Sequence, residues 1–120
     1  MRILVIDDEP RVAGVIAEVL RLEGNDVVAA SSGEEGLRII AQSPPAAVFL
    51  DIVMPGIDGI EVLRRIRARH PHLPVIILSG WATGRQIELA RILGVTDVLQ
   101  KPVPLRSITE ALARTHQIRS

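Results

Sequence analysis

Apolar residues in this chain fall into two alternating textures: short unbroken runs, and longer stretches where they recur every three or four positions. Ile3-Leu4-Val5-Ile6, Ala47-Val48-Phe49-Leu50 and Val75-Ile76-Ile77-Leu78 carry no polar interruption. Such runs are expected of strands covered on both faces in a parallel sheet. Asp26 to Ala30 and Asp97 to Gln100 complete a predicted set of five strands.

Helical spacing fills the intervals. Pro10 suits a first helical turn, with Asp8 available as its cap, and that helix stops at Gly24-Asn25. Ser31-Ser32-Gly33 opens a second, with Ser32 and Glu35 in capping-box spacing and Pro44-Pro45 as its end. A loop containing Pro55, Gly56 and Gly59 leads into a third, Ile60 to Arg69. Gly84 precedes a fourth, which ends at Gly94, and Pro104 starts a fifth with Leu105, Ile108, Leu112 and Thr115 on one stripe. Five strands, each followed by a helix through short connections, predict an α/β fold with a doubly wound parallel sheet. The pattern predicts one domain over residues 1–120 with no repeat, linker or output domain; nothing after Arg114 reads as one.

Composition narrows the classes. A chain of 120 residues can bury about two-thirds of its unfolded surface without staples. The absence of cysteine excludes disulfides, thiolate metal sites and thiol catalysis. Met1-Arg2 runs straight into a strand instead of a secretory leader, and no apolar run approaches the roughly 20 residues of a membrane span. A cytoplasmic protein without a membrane partner is expected. Formal net charge is zero, which leaves no electrostatic footprint for nucleic acid. Arg64, Arg65, Arg67 and Arg69 read as the solvated face of a helix, and His70, His72 and His116 as ordinary surface residues.

The chemistry gathers where the apolar runs end. The first run ends in Asp7-Asp8, the third in Asp51, the fourth in Ser79 and the fifth in Lys101. In doubly wound sheets the ligand site lies outside these carboxyl ends of the strands. Lys101 is the only lysine beside thirteen arginines, as a position requiring a compact point charge would be. Three converging carboxylates repel one another, and a divalent cation keeps them ionised. Oxygen ligands without His or Cys point to Mg²⁺, which shares its shell with phosphate. The plain alternative makes Asp7 and Asp8 helix caps and Asp51 the start of a turn.

These motifs resemble the receiver domain of two-component response regulators, and the resemblance covers essentially the whole chain. It rests on Asp7-Asp8-Glu9, the segment Asp51 to Gly59, Ser79-Gly80 and Lys101-Pro102, in order at successive strand ends. It implies a flavodoxin-like three-layer sandwich with strand order 2-1-3-4-5, and Asp51 as phosphoacceptor assisted by Lys101 and Ser79. It further implies Mg²⁺ on Asp8, Asp51 and the Val53 carbonyl, with Asp7 acting through water, and a cis Lys101-Pro102 bond. Val53, Met54, Gly80, Trp81, Val98 and Pro102 fall at modulating positions. The implied partners are a histidine kinase or phosphotransfer protein, a downstream effector, and a second copy through the last two helices and last strand. Such a domain is a signalling phosphoacceptor that catalyses its own phosphotransfer and reset, not an enzyme acting on others.

Departures from that pattern matter. Val98 stands where receivers commonly carry an aromatic, so a ring flip cannot be the readout. A receiver-like interaction module without phosphorylation switching is therefore the alternative. Val53 and Trp81, which line the path of attacking water in the family, are apolar here, so a long-lived phosphorylated state is expected. Trp81 is expected on the rim of the site. The first helix is apolar over a wide arc, so Val12 and Val15, with Arg11, are expected to face a partner.

Overall fold

The computed structural model describes residues 1–119, with side chains through Thr115; the side chain of His116 lies outside the described residues. Five strands alternate with five helices: β1 (Arg2–Ile6), α1 (Pro10–Leu22), β2 (Asp26–Ala30), α2 (Gly33–Gln42), β3 (Ala47–Asp51), α3 (Gly59–Arg69), β4 (Val75–Ser79), α4 (Gly84–Ile92), β5 (Asp97–Gln100) and α5 (Leu105–Arg119). All neighbouring strands pair in parallel, in the order β2-β1-β3-β4-β5. The predicted set of elements is therefore present, with β3 and β4 extended by one residue to take in Asp51 and Ser79.

Strand alternation divides the core between two layers. Ile3, Val5, Phe49, Ile76 and Leu78 face α1 and α5, where they meet Ile16, Leu20, Ile108 and Leu112. Leu4, Ile6, Val48, Leu50 and Ile77 face the other way, onto Ile40, Leu63, Ile66 and Ala90. Each central strand is thus apolar on both faces, which explains its unbroken sequence.

Helix ends follow local chemistry, with three differences from the sequence reading. Glu9, not Asp8, is the N-cap residue of α1, and its side chain makes no cap bond; the Asp7 carboxylate accepts from the Glu9 amide instead. Ser32 Oγ accepts from Glu35 N as expected, but the Glu35 side chain reaches Ser31 N, so the box does not close. A closed capping box forms on α4, between Thr83 and Gln86. Gly24 and Gly94 follow the C-caps of α1 and α4 with φ of 89° and 74°, backbone that side-chain-bearing residues rarely adopt.

Arg67 also departs from its expected solvated position. It turns inward and donates to the carbonyls of Leu93 (2.6 Å), Leu73 (2.7 Å), Gly94 (3.0 Å) and His70 (3.1 Å). Burial pulls its guanidinium below its ordinary value.

Gly59 seats α3 against the strand that bears Asp51. A Cβ there would lie 2.3 Å from Ile52 Cα and 2.8 Å from both the Asp51 oxygen and the Ile52 carbonyl carbon. These are backbone atoms of a buried strand end and cannot swing aside. Gly59→Ala is expected to cost about 3 kcal/mol in a denaturant titration, the upper range for overpacking. A variant as stable as the parent chain would mean that α3 slides freely.

Candidate functional site

β1 and β3 are neighbours and β5 lies beyond β4, and their carboxyl ends, with the turns after them, gather four acidic residues, three of them in contact with one ammonium. Asp7, Asp8, Glu9 and Asp51 each offer an oxygen, all within 4.8 Å of one another. Lys101 Nζ lies 2.9 Å from Asp7 Oδ2, 3.0 Å from Glu9 Oε1 and 3.1 Å from Asp51 Oδ2. The lone lysine therefore reaches the cluster from β5, as its position predicted. Lys101 and Pro102 are joined by a cis peptide bond, also as expected.

Asp51 is the best-held carboxylate. It is 2% exposed, with Oδ1 accepting from Val53 N at 3.0 Å and Oδ2 from Lys101 Nζ. Burial pushes its carboxyl up from 3.8 to about 6; the Val53 amide and Lys101 pull it down, and the Asp7 charge adds to the rise. Burial alone would lower the Lys101 ammonium, but the carboxylates of Asp7, Glu9 and Asp51 outweigh it and carry Lys101 above its ordinary range. Nearby opposite charge and desolvation thus act against each other at both partners.

The donor set fits a hard divalent cation. Asp7 Oδ2 is buried without a hydrogen bond, since the ammonium approaches it off the line that a bond needs. One positive charge faces four carboxylates, and every available ligand atom among them is oxygen, the chemistry that suits Mg²⁺.

The remaining expected residues frame this cluster. Ser79 is buried at the end of β4; its carbonyl accepts from Lys101 N at 2.8 Å, and its hydroxyl makes no hydrogen bond among the described residues. A Cβ on Gly80 would touch the Lys101 stem at 3.5 Å, so the backbone passes close to the lysine. Trp81, in the loop after β4, is 90% exposed and so lies outside the core. Val53 is exposed beside Asp51, whereas Met54 and Val98 are half-buried against the α2–α4 layer. Val15 and Arg11 are exposed on α1, but Val12 packs partly against the α1–α5 core. Only part of the wide apolar arc is therefore free.

The acidic motif Asp7-Asp8-Glu9 by itself assigns Glu9 no role at the site. Its carboxylate is the third partner of Lys101, and the clue was its adjacency to two acids immediately after a strand.

Known proteins resemble this chain in sequence and fold. The family model of the response regulator receiver domain matches residues 3–113. The chain is 34% identical to response regulator protein FleR of Pseudomonas aeruginosa, over 94% of this chain and 24% of that protein. It is 37% identical to response regulator MprA of Mycolicibacterium vanbaalenii, over 95% of this chain and 48% of that protein. It thus spans about a quarter of the first and about half of the second. The crystal structure of a response regulator receiver domain protein from Clostridium thermocellum superposes with a TM-score of 0.85 at 36% identity, covering 98% of each chain. With strand order, acidic cluster and cross-sheet lysine in agreement with a match over nearly its full length, the chain belongs to the response regulator receiver domain family.

Proposed function

We propose that this domain takes a phosphoryl group from a histidine kinase or histidine phosphotransfer protein onto Asp51, and thereby changes its affinity for a downstream protein. The observation that carries this reading is the pairing of a buried Asp51 carboxylate with Lys101 inside an all-oxygen acidic cluster.

An Asp51 oxygen attacks phosphorus, the bond to the imidazole nitrogen breaks, and the imidazole leaves with the electron pair. Lys101, already beside Asp51 Oδ2, moves its positive charge onto a phosphoryl oxygen as negative charge spreads there. The Val53 amide holds the attacking carboxylate in place. The Ser79 hydroxyl, having no partner to give up, donates to a second phosphoryl oxygen. Mg²⁺ would be held by Asp8, Asp51 and the Val53 carbonyl, with Asp7 behind it, and would neutralise charge on the transferring group. The new dianion draws Ser79 toward Asp51 and biases the segment between β4 and α5, a two-state switch.

Val53 and Trp81 give attacking water no polar anchor at the rim, so the acyl phosphate is long-lived. Arg11 and Val15 beside the pocket form the docking edge for the donor protein, and the α4–β5–α5 face serves a second copy.

Incubation with acetyl phosphate and Mg²⁺, followed by intact-mass measurement and peptide mapping, tests the reading. One added phosphoryl group at Asp51, dependent on Mg²⁺ and persistent after the donor is removed, is expected. Unchanged mass would refute phosphoacceptance; uptake followed by rapid loss would refute the lifetime alone.

A further inference from the structure

At the edge of the sheet opposite the carboxylates, where Asp26 and Asp97 begin β2 and β5, one stretch of surface is lined by charge of the other sign. An open groove of about 1130 Å³ lies there, among the connections entering β3, β4 and β5. Arg2, Arg67, Arg69, His70, His72 and Thr96 line it together with four prolines, and none of its lining residues is Asp or Glu. Arg67 is held by four neutral carbonyls, so no carboxylate cancels its charge, and the groove is biased positive. Arg2 donates from Nη1 to the Ser43 carbonyl and hydroxyl, and its Nε and Nη2 make no hydrogen bond among the described residues. The Arg69 guanidinium makes no hydrogen bond or ion pair among the described residues.

We propose that this groove binds a small polyphosphate, either inorganic or carried by a nucleoside. Arg2 and Arg69 offer planar forks that match phosphoryl oxygens, and the Thr96 hydroxyl adds a donor. Pro44, Pro45, Pro71 and Pro74 fix the walls before binding, so little ordering is required, and their rings give a base an apolar seat. A triphosphate concentrates its charge on one short chain, a dense counter-charge for a groove lined by three arginines. Glutamates on an extended peptide alternate between faces and separate theirs. The site is remote from Asp51, so the inference stands independently of phosphoryl transfer.

Titration calorimetry of the intact domain in EDTA, with tripolyphosphate and with ATP, tests it. Saturable one-to-one binding with Kd below about 1 mM is expected, weakened about tenfold by Arg69→Gln and further by added salt. Tighter binding of ATP would identify the nucleoside-borne ligand, and equal binding the inorganic one. Asp51→Asn should leave either affinity unchanged. Arg69 holds no other element in place, so a folding defect is not expected; matched melting curves check this, and Arg2→Gln gives a second, independent loss. No saturable heat, affinity indifferent to both arginines, or tighter binding of octaglutamate would overturn the proposal.

Discussion

Asp51→Asn is expected to abolish phosphoryl uptake and, in the metal-free domain, to raise stability. The uptake follows from chemistry: an amide oxygen is not the anionic nucleophile that attack on phosphorus requires. The stability follows from burial. In the fold the Asp51 carboxyl is pushed up from 3.8 to about 6, so between these values the folded chain holds a proton that the unfolded chain has released. Folding stability from this group therefore falls as pH rises through that window, and the cost is complete above it. At 1.36 kcal/mol per pH unit the cost approaches about 3 kcal/mol at neutral pH. Denaturant titrations in EDTA should find the variant more stable than the parent at pH 7 by about this amount, with the gap closed near pH 4. A constant gap across pH would assign the gain to packing. An adduct on the variant in the mass experiment would move the acceptor elsewhere.

Lys101→Met is expected to act in the opposite sense. The side chain is 13% exposed and is shared among Asp7, Glu9 and Asp51 at 2.9–3.1 Å. Methionine preserves most of its stem and volume but removes the only cation in the cluster, leaving buried carboxylates facing one another. Loss of one partner from a buried ionic group costs about 3–5 kcal/mol. That loss should shrink in acid, where Asp51 takes up a proton, and should also shrink when Mg²⁺ is added at neutral pH. Phosphoryl uptake should fall even with Mg²⁺ present, because no ammonium receives the developing charge. A stability loss indifferent to both pH and Mg²⁺ would mean that Lys101 acts through its methylene stem alone.

Much of this architecture was readable before any coordinate. Unbroken apolar runs mark the central strands because each is covered twice, and glycines mark the ends of α1 and α4 because of their positive φ. The convergence of Asp7, Asp8, Asp51 and Lys101 was legible because each lies at the end of a run, and parallel topology sends all such ends to one edge. Other features depend on where side chains turn, which spacing alone does not encode. Arg67 resembles Arg64, Arg65 and Arg69 in sequence, yet it alone reaches the carbonyls of two neighbouring loops. Val12 and Val15 both belong to an apolar arc, yet Val12 packs partly against the core while Val15 stays exposed at its edge. Glu9 joins Lys101 from the turn after β1, where its amide donates to the Asp7 carboxylate.

The span of the lysine contacts has a consequence for biosynthesis. Lys101 meets Asp51 across 50 positions of the chain and Glu9 across 92. During translation the N-terminal strands emerge long before their cation does, so the nascent polypeptide carries an uncompensated acidic nest until its fifth strand leaves the ribosome. Any chain that stops short of Lys101 thus lacks the one cation of its acidic cluster.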